Sequence, residues 1–239
     1  MLRDEDIERI LVITAHPDDV DFGAGGTVAT WTDKGIEVSY CVITDGDAGG
    51  FDASVPRSEI PGIRRAEQEA AASVLGVDEV HWLGYPDGRL VVSLDLRRDL
   101  SRVIRKVRPQ RVVTQSPERN WERIYSSHPD HMAAGEAALC AVYPDARNDF
   151  TFTELALDEG LTGWAVPEVW VMSAPSPDVW VDTTEVISRK VKALLCHVSQ
   201  HPDPSGLEDR IVNWGRMNGQ AGGLPEGRTA EAFRVVSTA

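Results

Sequence analysis

Four times in succession an apolar, strand-like run gives way to a helical pattern, and no other feature of the chain constrains its fold as strongly. The runs "RILVIT" (9–14), "EVSYCVIT" (37–44), "EVHWLG" (79–84) and "RVVTQS" (111–116) are short, rich in β-branched residues and bounded by Gly, Pro or polar clusters. After them, 23–35, 60–76, 94–109 and 128–143 place apolar or small residues at helical spacing. Gly35, Gly76 and Pro109 close the first three, and Pro129 suits the first turn of the fourth. Such repetition builds right-handed crossovers over a parallel sheet covered on both faces. The expected class is α/β, a Rossmann-like three-layer sandwich with a mostly parallel sheet. Two further strands are expected at 167–173 and 179–184, and a helix at 185–200. The tail from 201, with "HPDPSG" and "GQAGGLPEG", predicts mostly loop with one short helix. The chain reads as one domain over 1–239, with its core at about 9–200 and a C-terminal extension over 201–239.

In open α/β sheets, ligands sit outside the carboxyl ends of the strands. The polar residues of interest fall there: His16, Asp18 and Asp19 after the first strand, Asp45 and Asp47 after the second, Tyr85 and Asp87 after the third, Ser116 and Asn120 after the fourth. Charge narrows what the ligand is. With 38 Asp+Glu against 24 Lys+Arg, net −14, the chain repels polyanions, so nucleic-acid and anionic-membrane binding are not expected. No basic segment followed by an apolar stretch opens the chain, and no run of 18 apolar residues occurs, which predicts neither a signal peptide nor a membrane span. Cys41, Cys140 and Cys196 are odd in number and widely spaced, as expected of core thiols in a reducing, cytoplasmic compartment.

The chemistry concentrates in "AHPDD" (15–19) and "HPDH" (128–131). Adjacent carboxylates at the mouth of a buried strand call for a nearby positive charge. Imidazole and carboxylate together suit zinc or ferrous iron. A site of His16, Asp19 and His131 supplies two nitrogens and one oxygen and leaves a fourth position open, where water can be acidified to a pKa near ~7. Asp18, not needed as a ligand, is placed to accept the water's proton and pass it to a leaving amine. His128, if protonated, stabilises an oxyanion, and Asp130 holds it cationic and oriented. These parts amount to metal-assisted amide hydrolysis.

The two motifs, with Arg64 and Glu67 between them, resemble the LmbE-like (PIG-L) family of zinc-dependent N-deacetylases over roughly 9–200. "TDGDAGGFD" and "LGYPDG" are similar to an actinobacterial branch that includes deacetylases of glycopeptide-antibiotic sugars. The resemblance implies one zinc on His16, Asp19 and His131, Asp18 as general base, His128 as electrostatic partner and Arg64 as a substrate contact. It also implies a small N-acetylglucosamine-type sugar or glycoconjugate as substrate, and members often form homo-oligomers. Where the family continues with Glu, this chain has Val20 and then Asp21. Other readings are a thiol S-conjugate amidase, a non-haem ferrous oxygenase with the same donor set, and a non-catalytic sugar- or nucleotide-binding protein on the same fold. "GAGG" (23–26) fails the dinucleotide fingerprint at its last glycine and is expected to serve helix packing. His81 is expected to be packed, His197 to suit a helix end, and Trp121 and Trp164 either to stack on sugar or to pack.

Overall fold

Strand β1 (Arg9–Thr14) lies inside the sheet with every residue after Arg9 buried, because its alternate side chains serve two different cores. Ile10 and Val12 face a cluster with Val28, Trp31, Tyr40, Leu75 and Phe233, whereas Leu11 and Ile13 face one with Ile43, Leu96, Leu100, Ile104 and Ala137. In this computed structural model, which describes residues 1–238, the chain continues through α1 (Asp19–Asp33), β2 (Glu37–Thr44), α2 (Ile60–Leu75), β3 (Glu79–Tyr85), α3 (Leu94–Val107), β4 (Arg111–Gln115) and α4 (Pro129–Cys140). There follow α5 (Thr153–Leu157), β5 (Glu168–Met172), β6 (Val179–Asp182), α6 (Ile187–Leu194), α7 (Leu207–Ala221) and β7 (Ala230–Ser237).

The seven strands run in the order β3-β2-β1-β4-β5-β7-β6, with β1 to β5 parallel and β7 antiparallel to both neighbours. The mostly parallel α/β sandwich is therefore present. Chain order runs outward from β1 to β3 on one side and from β4 on the other, so β1 and β4 flank the switch point where such sheets open a crevice.

Three local expectations are corrected. Helix α1 begins at Asp19, four residues before the predicted start at 23, since Asp18 takes a left-handed conformation (φ 83°) and turns the chain directly into the helix. Asp19 and Asp21 then sit in a first turn, whose dipole favours acids. Helix α6 ends at Leu194, short of 200, and the chain continues into a 3-10 turn over Val198–Gln200. The tail is not mostly loop: it forms the 15-residue α7 and the strand β7, inserted between β5 and β6. Gly215 and Gly219 let α7 lie against the chain entering β7. A Cβ there would stand 2.8 Å from Thr229 Cβ and 2.4 Å from the Arg228 carbonyl oxygen. Among the described residues no helix is long and apolar enough to cross a membrane.

Candidate metal centre and active site

The end of β1 is tied to the end of β4 across the crevice by the Ala15 N–H donating to Gln115 Oε1 at 2.9 Å. His16 follows immediately, and its own N–H donates to Asp19 Oδ2 at 2.7 Å, folding "HPDD" into a tight loop. His131 arrives from the first turn of α4, beyond β4. The sequence-distant rings meet here: His16 Nδ1 is 3.2 Å from His131 Nε2 and 3.3 Å from Asp19 Oδ2, and His131 Nε2 is 3.0 Å from Asp19 Oδ1.

This spacing fits a metal. In a tetrahedral site with bonds of about 2.0–2.1 Å, donors stand about 3.3 Å apart. The tautomers fit as well. His16 Nε2 faces Asp87 Oδ1 at 3.0 Å and Asp130 Oδ2 at 3.2 Å, so its proton belongs on Nε2 and the lone pair of Nδ1 points at the cluster. A carboxylate behind a ligating histidine is the usual way to orient such a ring. Asp130 is itself fixed by the Gly88 and Leu90 N–H groups, at 2.7 and 3.2 Å.

The cluster demands positive charge. Burial opposes the charged form of His16, but Asp19, Asp130 and Asp87 outweigh it and push the ring up to about 12. His131 is likewise raised against its burial by Asp19, and Asp19 is held well below the usual carboxylate range by the two rings despite its own burial. A divalent cation meets the same demand with both imidazoles neutral, displacing protons as it binds.

Asp18 stands beside this centre with its Oδ2 3.1 Å from Arg64 Nη2, and its N–H donates to Gln68 Oε1 at 2.7 Å. The side chain is 17 % exposed, yet burial pushes its carboxyl up to about 6 against the pull of Arg64. Behind it lies a buried relay: Gln68 Nε2 donates to Asp21 Oδ2 at 3.0 Å, and His197 Nε2 pairs with the same oxygen at 2.9 Å. Asp21 and His197 thus pair beneath the loop, each with a second buried polar atom, Asp21 Oδ1 and His197 Nδ1, that has no partner among the described residues, while Val20 points into the apolar core.

Two expected partnerships differ. Arg64 is only 3 % exposed and does not face the cleft. It donates to the Pro17 carbonyl at 2.6 Å as well as to Asp18, and Gly46 and Gly49 pack so closely that a Cβ on Gly49 would lie 2.2 Å from its Nη1. It therefore holds Asp18 rather than lining the cleft. Asp130 does not orient His128, because its carboxylate is engaged by His16. His128 Nδ1 instead accepts the Asp130 backbone N–H at 3.2 Å, capping α4. Burial and the neighbouring His16 and His131 lower the His128 pKa, so the ring is a neutral donor through Nε2 rather than a cation. His128 stays in the cluster, with its ring centroid 5.0 Å from that of His16. Asp87 and Gln68 were missed as site residues. Asp87 stood among the strand-end acids, but nothing in its spacing signals a partner in "HPDD".

A cleft of about 660 Å³ opens from Asp19 and His131 and runs between the loop before α4 and helix α7. Trp121 in that loop is 81 % exposed. Trp164 is a packing residue, stacked under Arg108 at 4.5 Å with its Nε1–H on the Pro109 carbonyl at 2.7 Å. His81 is half-buried in the edge strand β3.

Known proteins share this arrangement of sheet and loops. Over 98 % of this chain and 85 % of the other, the fold superposes on an N,N'-diacetylchitobiose deacetylase from Pyrococcus horikoshii, with a TM-score of 0.88 and 33 % identity. A diacetylchitobiose deacetylase of Thermococcus kodakarensis is 34 % identical, covering 97 % of this chain and 84 % of its own. A 1D-myo-inositol 2-acetamido-2-deoxy-alpha-D-glucopyranoside deacetylase of Rhodococcus erythropolis is 30 % identical over 86 % of each. The profile described as GlcNAc-PI de-N-acetylase, PIG-L, matches residues 11–142, a span that runs from β1 through both histidine motifs. On that match and on the near full-length likeness to these deacetylases, the chain belongs to the PIG-L family.

Proposed function

We propose that the protein is a metal-dependent N-deacetylase that hydrolyses the acetamide of an N-acetylglucosamine-type sugar or glycoconjugate. One observation carries the reading: His16 Nδ1, Asp19 and His131 Nε2 converge at 3.0–3.3 Å at the switch point, with the Asp18 carboxylate beside them. The deacetylase names of the full-length relatives support the substrate class. Zinc is the metal proposed, with ferrous iron accepted by the same donors. When bound by His16, Asp19 and His131, it supplies Lewis acidity to the amide carbonyl and makes water a stronger acid.

The chain's own groups then carry the protons. Asp18 Oδ2 is held by Arg64, leaving Oδ1 without a hydrogen-bond partner among the described residues. The carboxylate takes one proton from the attacking water as the C–O bond forms. It returns that proton to the nitrogen as the C–N bond breaks, releasing the amine and acetic acid, which loses its remaining proton to solvent as acetate. His128 donates from Nε2 to the carbonyl oxygen as negative charge develops there, since its Nδ1 is already occupied as an acceptor. Asp130 acts through His16, by orienting the ring, and Arg64 acts through Asp18. The free cysteines suit a reducing compartment, and we place the protein in the cytoplasm.

The test is acetate release from a panel of N-acetylated sugars, glycoconjugates and thiol S-conjugate amides, with chelator and after metal restoration. Metal-dependent release from amino sugars is expected. Release only from the thiol conjugates would refute the substrate class, and chelator-resistant release would refute the metal.

A further inference from the structure

The arginines of this acidic chain are mostly matched by carboxylates, as Arg64 is by Asp18, Arg97 by Asp145 and Arg111 by Glu168. Two in the cleft are not. Arg123, from the loop before α4, and Arg210, from α7, line the cleft that ends at Asp19 and His131. Among the described residues neither has a carboxylate oxygen within 4.0 Å.

Arg123 is exposed at the rim of the cleft, flanked by two aromatic rings. Its guanidinium carbon is 5.2 Å from the centroid of Tyr125 and 5.3 Å from that of Trp214 on the α7 side of the cleft, and its Nε–H donates to Tyr125 Oη at 2.9 Å. The aromatic contacts and that one bond use the ring-facing side and Nε. Both Nη groups keep their N–H donors unused among the described residues. A guanidinium positioned by aromatic rings with free in-plane donors matches the two oxygens of a carboxylate or phosphate.

The cleft does not oppose such a guest. Glu231, a carboxylate in its lining, is neutralised by Lys190 Nζ at 2.5 Å and by the Gly26 and Thr27 N–H groups at 2.9 and 2.7 Å. Asp19 is engaged by the two imidazoles. The cleft therefore presents compensated acids and, in Arg123, an arginine without a carboxylate partner, while Arg210 lies near Asp203 without pairing within 4.0 Å, all within a protein of net charge −14.

We propose that the substrate carries an anionic group, a carboxylate or a phosphate, on the part of the molecule remote from the acetamide, and that Arg123 binds it with the help of Arg210. This rests on the deacetylase reading above. A guanidinium that only stacked against a neutral sugar would discriminate little by charge.

The experiment compares three N-acetylglucosaminides of matched size on the full, zinc-loaded chain: one with a neutral methyl-ester aglycone, its free carboxylate and its phosphate counterpart. At low ionic strength kcat/KM for at least one anionic compound is expected to exceed that for the neutral one by about tenfold or more, an advantage that shrinks with added salt. Arg123→Gln is expected to lower this anionic-to-neutral ratio by about tenfold, and Arg210→Gln to lower it less. Arg216→Gln, exposed on α7 outside the cleft, leaves the ratio unchanged. The carboxylate and phosphate arms tell which anion is recognised. Equal turnover of charged and neutral compounds, or a ratio unaltered in Arg123→Gln, overturns the proposal. If none of the three releases acetate, the deacetylase reading fails, and calorimetric binding of the same compounds decides this inference instead. An anionic preference in affinity that collapses in Arg123→Gln supports it, and no preference refutes it.

Discussion

Replacing Asp18 by Asn removes one proton-accepting site and almost nothing else. The left-handed backbone at this position (φ 83°) is one that Asn adopts as readily as Asp. The amide oxygen of Asn can still accept the 3.1 Å hydrogen bond from Arg64 Nη2, and the 2.7 Å bond from the residue's N–H to Gln68 does not involve the side chain. His16, Asp19 and His131 keep their mutual distances because none of them is hydrogen-bonded to the substituted group, whose partner is Arg64. Fold and metal content are therefore expected to survive. What disappears is a carboxylate whose pKa, at about 6, is suited to taking and returning a proton near neutrality. Positioned acid–base groups contribute about 10²–10⁴-fold, so kcat for acetate release should fall by that factor, equivalent to roughly 3–5 kcal/mol of barrier. The assay pairs single-turnover acetate release with metal analysis of the same sample. Undiminished kcat with full metal occupancy would refute the role of Asp18. Loss of metal along with activity would show that Asp18 serves the metal rather than the proton.

Other consequences can be checked separately. Asp130→Asn weakens the carboxylate that orients His16, so metal affinity measured by chelator competition should fall about 10- to 100-fold, and unchanged affinity would contradict that arrangement. Because His16 and His131 are both raised above the ordinary histidine value, protons compete with the metal. Affinity should thus rise with pH and fall on acidification, by up to about tenfold per pH unit for each proton displaced. Calorimetry in two buffers of different ionisation enthalpy should report net proton release, and no release at neutral pH would count against the donor set. Arg111→Ala leaves Glu168 buried without the guanidinium 3.0 Å away. A cost of about 3–5 kcal/mol, or roughly 6–20 °C in Tm, is expected by thermal denaturation, and a shift of ~2 °C or less would show that the pair is inconsequential.

The parallel half of the sheet was legible because β1, β2, β4 and β5 are buried almost throughout and so are rich in apolar residues, while the half-buried edge strand β3 follows the same strand-then-helix rhythm. "HPDD" and "HPDH" were legible as one site because the termini of β1 and β4 adjoin at the switch point. What escaped depends on close approach. Helix α7 was passed over because half of its buried line is glycine, Gly215 and Gly219 continuing from Leu207 and Ile211, and without it β7 looked like the end of a tail. Arg64, expected as a substrate contact, lies enclosed against Pro17 and Asp18, and its enclosure comes from a glycine loop whose path no local pattern encodes. Asp130 and His131 are neighbours in sequence, yet successive residues on a helix point about 100° apart. One therefore stands behind His16 while the other meets its front, and tripeptide spacing alone does not say which.

That distinction also locates the most direct test. Two other trios, His16 with His128 and His131 and His16 with Asp87 and Asp130, also bring donor atoms within 4.8 Å of one another and offer rival places for a cation. Anomalous diffraction from crystals of the zinc-loaded protein separates the three. One zinc is expected, bound by His16 Nδ1, Asp19 and His131 Nε2, with Asp87 and Asp130 hydrogen-bonded to His16 from behind. Zinc on the Nε2 side of His16, held by Asp87 and Asp130, or zinc held by His128 in place of Asp19, would contradict this ligand set.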